Sequence, residues 1–197
     1  MASLMLSAAE PPKVILFFGD SLSAGYGLSI EEAFPAIVEK DLKAKGINVK
    51  VVNAGLSGET TAGGLSRIDW ILRQPIDIFV LELGGNDGLR GLPPDQTVKN
   101  LQGIIDKVRM KYPKVRIVLA GMMVPPNMGR QYADDFRNVF PGLAKKNNVT
   151  LMPFLLKDVG GIETLNQADG IHPNVEGHRI VARNLEPILI KELELIQ

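Results

Sequence analysis

The stretch VILFFGDSLS, at residues 14–23, decides the fold that we expect for this chain. Its first five residues are apolar and mostly β-branched or aromatic, which is typical of a strand buried on both faces of a parallel sheet. The Gly19-Asp20-Ser21 that follows permits a sharp turn, and Asp and Ser are preferred at the start of a helix. The stretch therefore predicts a buried strand that turns abruptly into a helix.

The same alternation continues along the chain. Short apolar runs alternate with longer segments of helical periodicity, which is the pattern of successive β-α units. The predicted strands cover residues 14–18, 49–53, 78–83, 115–120 and 149–152, and the predicted helices cover residues 31–45, 62–73, 94–111, 131–146 and 175–195. Right-handed crossovers then give an α/β fold, a three-layer αβα sandwich around a five-stranded parallel sheet, with the functional loops at the carboxyl ends of the strands.

The composition narrows the classes of protein that the chain can represent. Its 22 basic and 22 acidic residues balance, so no excess charge favours nucleic acid or an anionic membrane surface. No apolar stretch approaches the ~20 residues needed to cross a bilayer. Without cysteine the chain has no disulfide, thiolate nucleophile or cysteine-ligated metal. We expect a monomer or weak homo-oligomer that binds a small molecule.

The chain is long enough for one domain, which we place at residues 13–197. Residues 1–12 are interpreted as a flexible N-terminus or as the remnant of an export signal. On this basis we expect a periplasmic or secreted protein rather than a cytoplasmic one.

The candidate base and acid lie close together near the end of the chain. A near-neutral general base is most often histidine, and the chain has only His172 and His178. His172 follows Asp169 by three residues in a loop with glycine and proline, so the carboxylate can reach Nδ1 and leave Nε2 free to face a nucleophile. His178 falls within the last predicted helix, where we expect a solvated or partly packed side chain. Ser21 is the candidate nucleophile, although Gly-Asp-Ser-Leu taken alone is more typical of a helix N-cap.

An oxyanion hole needs donors that are already in place before the reaction. The Asn86 side chain and the Gly58 N–H are candidates, together with the N–H of Ser21. Asn86 is equally suited to a turn, and Gly58 to a helix cap. We interpret Asp20 and Asp87 as orienting their own loops, and no His-x-His or Glu-x-x-His spacing predicts a metal site.

Apolar residues fall in loops at the same predicted edge and are candidates for contact with substrate. Flexible methionines fit irregular apolar ligands, and glycines permit a segment to move. The loop at residues 122–128 is equally suited to covering the core. The candidate substrate-binding residues are Leu22, Leu89, Met123, Val124, Pro125 and Ile171.

Four blocks of sequence resemble those of the SGNH, or GDSL, hydrolases, and within them the bacterial thioesterase I/lysophospholipase/arylesterase group. The blocks are GDSLSAGYG at residues 19–27, NAGLSGET at 53–60, LGGNDGLRG at 83–91 and DGIHPN at 169–174. The resemblance implies a flavodoxin-like fold and ester hydrolysis without a metal or cofactor. It also implies Ser21, Asp169 and His172 as the triad, with an oxyanion hole formed by Ser21, Gly58 and Asn86.

We therefore expect a serine esterase that works through an acyl-enzyme. The expected substrates are short- to medium-chain acyl esters, aryl esters, acyl thioesters or lysophospholipids. One alternative is a carbohydrate O-acetyl deacetylase on the same fold, which a polar, aromatic-lined groove would favour. Another is a flavodoxin-like binding module without catalysis, for which the sequence lacks a phosphate-binding loop.

Overall fold

The computed structural model describes residues 10–196, which contain five strands and seven α-helices. Residues 1–9, where most of the predicted flexible segment falls, lie outside the described residues, as does Gln197. The strands are β1 (Lys13–Gly19), β2 (Val49–Asn53), β3 (Ile78–Glu82), β4 (Arg116–Ala120) and β5 (Thr150–Met152). The helices are α1 (Ser21–Ala24), α2 (Phe34–Ala44), α3 (Thr61–Ile71), α4 (Gly85–Leu89), α5 (Pro94–Lys111), α6 (Arg130–Asn147) and α7 (Val175–Glu194).

All five strands form one parallel sheet in the order β2-β1-β3-β4-β5. The three-layer α/β fold and the five-stranded parallel sheet are confirmed. Every residue of β3 is buried, as expected for a strand covered on both faces. Five predicted strand boundaries differ from the structure by one residue. The first strand, β1, extends one residue further at each end, from Lys13 to Gly19, while β3 ends at Glu82, β4 begins at Arg116 and β5 begins at Thr150.

The long helices contact one another in two groups, which are the outer layers of the sandwich. In one group α3 contacts α5 and α5 contacts α6, and in the other α2 contacts α7. On α5 the buried side chains recur at helical spacing and include Leu101, Ile104, Ile105 and Val108, so its apolar stripe faces the sheet. Within residues 10–196, no helix combines the length and apolar character that crossing a membrane requires.

The predicted helix at residues 31–45 is interrupted near its start. A single 3₁₀ turn at Ile30–Glu32 precedes α2, which begins at Phe34 with Pro35 in its first turn. Proline fits the first turn of a helix because its missing N–H would have no partner there. The helix expected after Gly19-Asp20-Ser21 is present as the single turn α1, whereas the short helix α4 was not predicted, because one turn carries no periodicity that the sequence can display.

The order of the strands determines where a ligand can bind. From β1 the chain crosses to β2 on one side, and β3 then pairs with β1 on the other side. The loops that leave β1 and β3 therefore diverge at the carboxyl edge, where parallel α/β sheets form crevices for ligands. The Ser21 loop follows β1 and the Asn86 loop follows β3, so both open into this crevice.

Candidate active site

Ser21 is the first residue of α1, immediately after the turn that ends β1. Asp20 caps this helix, because its Oδ1 accepts a hydrogen bond from the Leu22 N–H at 3.0 Å. The helix ends after one turn at Gly25, which adopts a left-handed conformation with φ of 74°. The helix-cap interpretation and the nucleophile interpretation are thus compatible, because Asp20 makes the cap and leaves the Ser21 hydroxyl free.

Asp169 and His172 form a compact unit within a single loop. Asp169 Oδ1 accepts hydrogen bonds from the N–H groups of Ile171 at 2.9 Å and His172 at 3.0 Å. Its Oδ2 lies 2.6 Å from His172 Nδ1. These hydrogen bonds, first those from the His172 backbone and ring, lower the pKa of Asp169 from 3.8 to about 2, so the carboxylate is ionised at neutral pH.

The candidate nucleophile and the candidate base meet across the crevice. His172 Nε2 lies 2.9 Å from Ser21 Oγ, although the two residues are 151 positions apart. With Nδ1 bonded to a carboxylate, Nε2 is the nitrogen that can accept the serine proton. The three predicted residues therefore form a continuous chain of hydrogen bonds from hydroxyl to imidazole to carboxylate.

Two side chains that the sequence did not single out support the histidine loop. The ring of Tyr26 packs on the imidazole of His172, with centroids 4.5 Å apart and planes inclined by 38°. The Gln167 N–H donates to the His172 carbonyl at 2.7 Å, and its side-chain amide donates to the carbonyls of Tyr26 at 2.7 Å and Pro173 at 3.0 Å. Gln167 thus ties the first sequence block to the last one. Tyr26 could have been suspected from the sequence, because it is the only aromatic residue in the block GDSLSAGYG that carries Ser21.

Asn86 lies in α4 beside the Ser21 turn. Its Nδ2 donates to Asp20 Oδ2 at 3.1 Å, which orients the amide next to the nucleophile segment. Burial raises the pKa of Asp20 from 3.8 to about 6, and the hydrogen bonds from Leu22 and Asn86 oppose this shift. Gly58 occupies the turn after β2 with φ of 80°, and its carbonyl accepts a hydrogen bond from Arg90 Nη2 at 2.9 Å. The two predicted oxyanion segments are therefore linked directly, because Arg90 follows α4.

Asp87 bonds to residues of neighbouring elements, whereas the sequence was interpreted as placing it in support of its own loop. It is buried and accepts hydrogen bonds from the Thr61 N–H at 2.8 Å, from the Thr61 hydroxyl and from the Thr97 hydroxyl at 3.4 Å. Its carboxylate thereby joins α4 to the start of α3 and to α5. Across residues 10–196, no three histidine, aspartate or glutamate side chains converge in a way that would hold a metal ion.

A groove with a volume of about 540 Å³ opens beside Ser21 and His172. All six predicted substrate-binding residues line it: Leu22, Leu89, Met123, Val124, Pro125 and Ile171. Met122, Phe154 and Leu156 line it as well. Phe154 and Leu156 were missed because they follow the three-residue strand β5, in a loop whose sequence carries no periodic signal. The groove is largely apolar, as expected for an acyl chain and unlike the polar groove that a carbohydrate would favour.

The second histidine lies in the core. His178 is 1% exposed, and its Nδ1 accepts a hydrogen bond from the Phe34 N–H at 3.1 Å. The expectation of a solvated or partly packed side chain was wrong, because α7 packs against α2 and seals this position. Burial lowers the pKa of His178 from 6.5 to about 4.

Glu82, the last residue of β3, is a further residue near the site that the sequence did not single out. Its side chain is fully buried beneath the Ser21 turn. The sequence offered one indication that this residue is unusual, because Glu82 is the only charged residue in the apolar run at residues 78–83.

Comparisons with known proteins found relatives that match almost the whole chain. A family model described as "GDSL-like Lipase/Acylhydrolase family" matches residues 17–180. Esterase TesA of Pseudomonas aeruginosa is 38% identical over 190 residues, which cover 96% of this chain and 94% of that protein. Thioesterase 1/protease 1/lysophospholipase L1 of Escherichia coli strain K12 is 38% identical over 191 residues, which cover 94% of this chain and 89% of that protein.

A solved structure shows the same similarity in three dimensions. The crystal structure of the psychrotrophic esterase EstA from Pseudoalteromonas sp., inhibited by monoethylphosphonate, superposes with a TM-score of 0.87 at 33% identity. The match covers 92% of this chain and 99% of that one, so the similarity extends over the whole αβα sandwich.

Proposed function

Because the chain belongs to the GDSL-like lipase/acylhydrolase family and is a hydrolase of ester bonds, we propose that Ser21, His172 and Asp169 are its catalytic triad. One observation carries the proposal: the chain of hydrogen bonds from Ser21 Oγ through His172 to Asp169, with distances of 2.9 Å and 2.6 Å. The inhibition of EstA by monoethylphosphonate is consistent with a serine nucleophile in that relative.

In the first half of the reaction, His172 Nε2 takes the proton of Ser21 as Oγ attacks the acyl carbonyl carbon. The resulting tetrahedral intermediate collapses when the bond to the leaving group breaks. His172 returns the proton to the leaving alcohol or thiol, and the acyl group remains on Ser21. Asp169 holds the tautomer with Nδ1 protonated and stabilises the imidazolium while it exists.

In the second half, water replaces the alcohol. His172 removes a proton from the water, the hydroxyl attacks the acyl-enzyme, and the carboxylic acid leaves as Ser21 regains its proton. In both halves we propose that the oxyanion accepts hydrogen bonds from the N–H groups of Ser21 and Gly58 and from Asn86 Nδ2. The bond from Asn86 to Asp20 supports this role, because it fixes the amide before substrate arrives.

The groove supports acyl esters of short to medium length, aryl esters, acyl thioesters and lysophospholipids as the substrate class. Apolar side chains line most of it, and burial of each acyl methylene contributes about 0.8 kcal/mol to binding. One relative's name includes both thioesterase and lysophospholipase, which supports keeping thioesters and lysophospholipids in the class. The location outside the cytoplasm and the oligomeric state remain predictions from the sequence.

The decisive experiment compares the parent protein with Ser21→Ala on p-nitrophenyl esters from acetate to decanoate. We expect Ser21→Ala to lower kcat at least about 1,000-fold, because the nucleophile is lost. Ser66→Ala is the matched control, since Ser66 is exposed on α3, and it should keep parental kcat. A fluorophosphonate should label Ser21 in the parent, and His172→Ala should abolish the labelling while the fold is retained. Parental turnover in Ser21→Ala, or labelling of another residue, would show that the proposed mechanism is wrong.

A further inference from the structure

Glu82 gathers three hydrogen bonds from the segment that carries Ser21. Its Oε2 accepts from the N–H of Asp20 at 3.2 Å, from the N–H of Ser23 at 3.1 Å and from the Ser23 hydroxyl at 2.6 Å. These donors lie on both sides of Ser21 in sequence. A single carboxyl oxygen on β3 therefore fixes the backbone before and after the nucleophile.

Gly19, the glycine of the Gly-Asp-Ser-Leu block, leaves the space that this carboxyl group occupies. A β-carbon on Gly19 would lie 2.1 Å from Glu82 Oε2 and 2.8 Å from the Glu82 carbonyl oxygen. Both distances are far below van der Waals contact, and the second involves backbone that cannot move freely. The approach of Glu82 to the turn thus depends on a residue without a side chain at position 19.

The burial of Glu82, with donors at only one of its oxygens, favours the uncharged form of this carboxyl group. Oε1 is buried and has no hydrogen-bond partner within residues 10–196. Burial, followed by the charge of Asp20, raises the pKa of Glu82 well above its usual 4.5. The charge of His172 lowers the pKa of Asp20, and the charge of Glu59 raises it. Glu59 forms an ion pair with Arg67. An ionised Glu82 would place a full negative charge in the core with donors at only one of its two oxygens, and the uncharged acid avoids most of that desolvation cost.

We propose that Glu82 is a positioning residue for the nucleophile: as an uncharged carboxylic acid, it fixes the Ser21 turn so that Oγ stays within hydrogen-bond distance of His172. This inference rests on the proposed function. Glu82 lies outside the groove and acts on the reaction only through Ser21. Loosening the turn moves Oγ relative to His172 Nε2, and a displacement of about 1 Å can lower the rate about 100-fold.

Three variants test the proposal through kcat and KM for one p-nitrophenyl ester. Glu82→Gln keeps an uncharged acceptor at the Oε2 position, so kcat should stay within about 3-fold of the parent. Glu82→Met has similar size but no comparable acceptor, so kcat should fall about 100-fold while KM changes less than about 3-fold. Ser23→Ala removes one of the three donors, and kcat should fall by an intermediate factor. The rate of fluorophosphonate labelling should fall in parallel with kcat.

A pH-dependent measurement tests the uncharged state separately. A raised pKa in the folded protein makes the Glu82 contribution to stability complete below about pH 4.5 and progressively lost as the pH rises. Glu82→Gln lacks this loss, so its unfolding free energy relative to the parent should increase from pH 5 to pH 8. A constant difference over that range would show that Glu82 is ionised in the folded protein and would overturn the uncharged state.

The outcomes also separate this inference from the proposed function. If Glu82→Met keeps parental kcat, Glu82 does not position the nucleophile. If Glu82→Met does not fold, Ser23→Ala decides, and parental kcat in that variant overturns the role. A loss of kcat in Glu82→Gln equal to that in Glu82→Met would show that the negative charge is required. Failure of the parent to be labelled at Ser21 would instead overturn the proposed function.

Discussion

At the scale of single residues, Tyr26 is placed to influence the charge on His172. Its ring packs on the imidazole at 4.5 Å, yet the residue is 52% exposed and does not line the groove. In the proposed mechanism, His172 becomes positively charged while the tetrahedral intermediate exists. The face of an aromatic ring attracts a cation, so Tyr26 stabilises the imidazolium more than the neutral ring.

We predict that Tyr26→Leu lowers kcat about 2- to 5-fold, because a cation–π contact at an exposed site contributes about 0.5–1 kcal/mol. KM should change little, since the groove is intact. Tyr26→Phe keeps the ring and should keep parental kcat. Steady-state kinetics with one p-nitrophenyl ester measure the effect, with Trp70→Leu as the matched control for loss of an exposed aromatic side chain. Equal kcat for the Leu and Phe variants would contradict the prediction.

The pair Asp169 and His172 could be predicted from their spacing in the sequence, whereas the position of Glu82 could not, because it depends on a contact between distant residues. Asp169 and His172 are three positions apart, so their spacing alone indicates that they can meet. The contact between Glu82 and Ser23 joins residues 59 positions apart. Nothing near Glu82 in the sequence shows that its carboxyl group lies under the nucleophile, and an acidic residue at a strand end is most simply interpreted as exposed.

At the scale of elements, α4 is a single turn held from several directions. Asp87 bonds it to α3, and a β-carbon on Gly88 would lie 2.5 Å from Val124 and 2.9 Å from Phe136, so α4 packs tightly against these side chains. Asn86 stands in its first turn beside Asp20, while Leu89 at its end lines the groove and is 42% exposed. The same short helix therefore carries both the proposed oxyanion donor and an apolar side chain that lines the groove.

We predict that Leu89→Ala lowers kcat/KM for p-nitrophenyl octanoate about 5-fold and leaves the value for the acetate ester nearly unchanged. The acetyl group is too short to lie along Leu89, whereas a longer chain loses roughly 1 kcal/mol of apolar contact. Ile30→Ala, which removes a 72% exposed apolar side chain before α2, is the control and should change neither value. Equal losses for the acetate and octanoate esters would contradict a role in binding the acyl chain.

The elements that the sequence predicted well are those long enough to show a period. The predicted helix at residues 94–111 has the bounds of α5, because its apolar residues repeat over five turns and proline sits at each boundary. The helices α1 and α4 have four and five residues, and residues distant in sequence contact them: Glu82 bonds to Ser23 of α1, and Thr61 bonds to Asp87 of α4. Sequence periodicity therefore predicted the scaffold but not the short helices that carry Ser21 and Asn86.

At the scale of the whole molecule, His178 couples the packing of two helices to pH. It lies in α7 and accepts a hydrogen bond from the N–H of Phe34, the first residue of α2, on whose ring it also stacks. Burial lowers its pKa to about 4 in the folded protein, while the unfolded chain has the ordinary value near 6.5. Its contribution to stability is therefore complete above pH 6.5 and is lost as the pH falls towards 4.

We predict that His178→Asn removes this acid sensitivity, because the Asn Oδ1 can accept the Phe34 N–H bond without taking up a proton. Between pH 7 and pH 4, the unfolding free energy of the parent should fall relative to that of the variant by up to about 3 kcal/mol. Urea unfolding at several pH values measures the difference, and using the difference between the two proteins cancels the contributions of Glu82 and Asp20. Parallel curves would show that His178 titrates normally in the folded protein.

The loop that carries the acid and the base has a further consequence for protein engineering. An antiparallel bridge between Asn166 and Pro173 closes it, and the Gln167 N–H bonds to the His172 carbonyl within it. The short segment at residues 166–173 thus holds the proposed acid Asp169 and the proposed base His172 in alignment through its own hydrogen bonds, which makes it a unit that could be grafted. Moving it to another sandwich of this kind requires the 2.9 Å spacing between a host serine hydroxyl and the imported imidazole, and also host contacts that replace those of Tyr26 with His172 and Gln167.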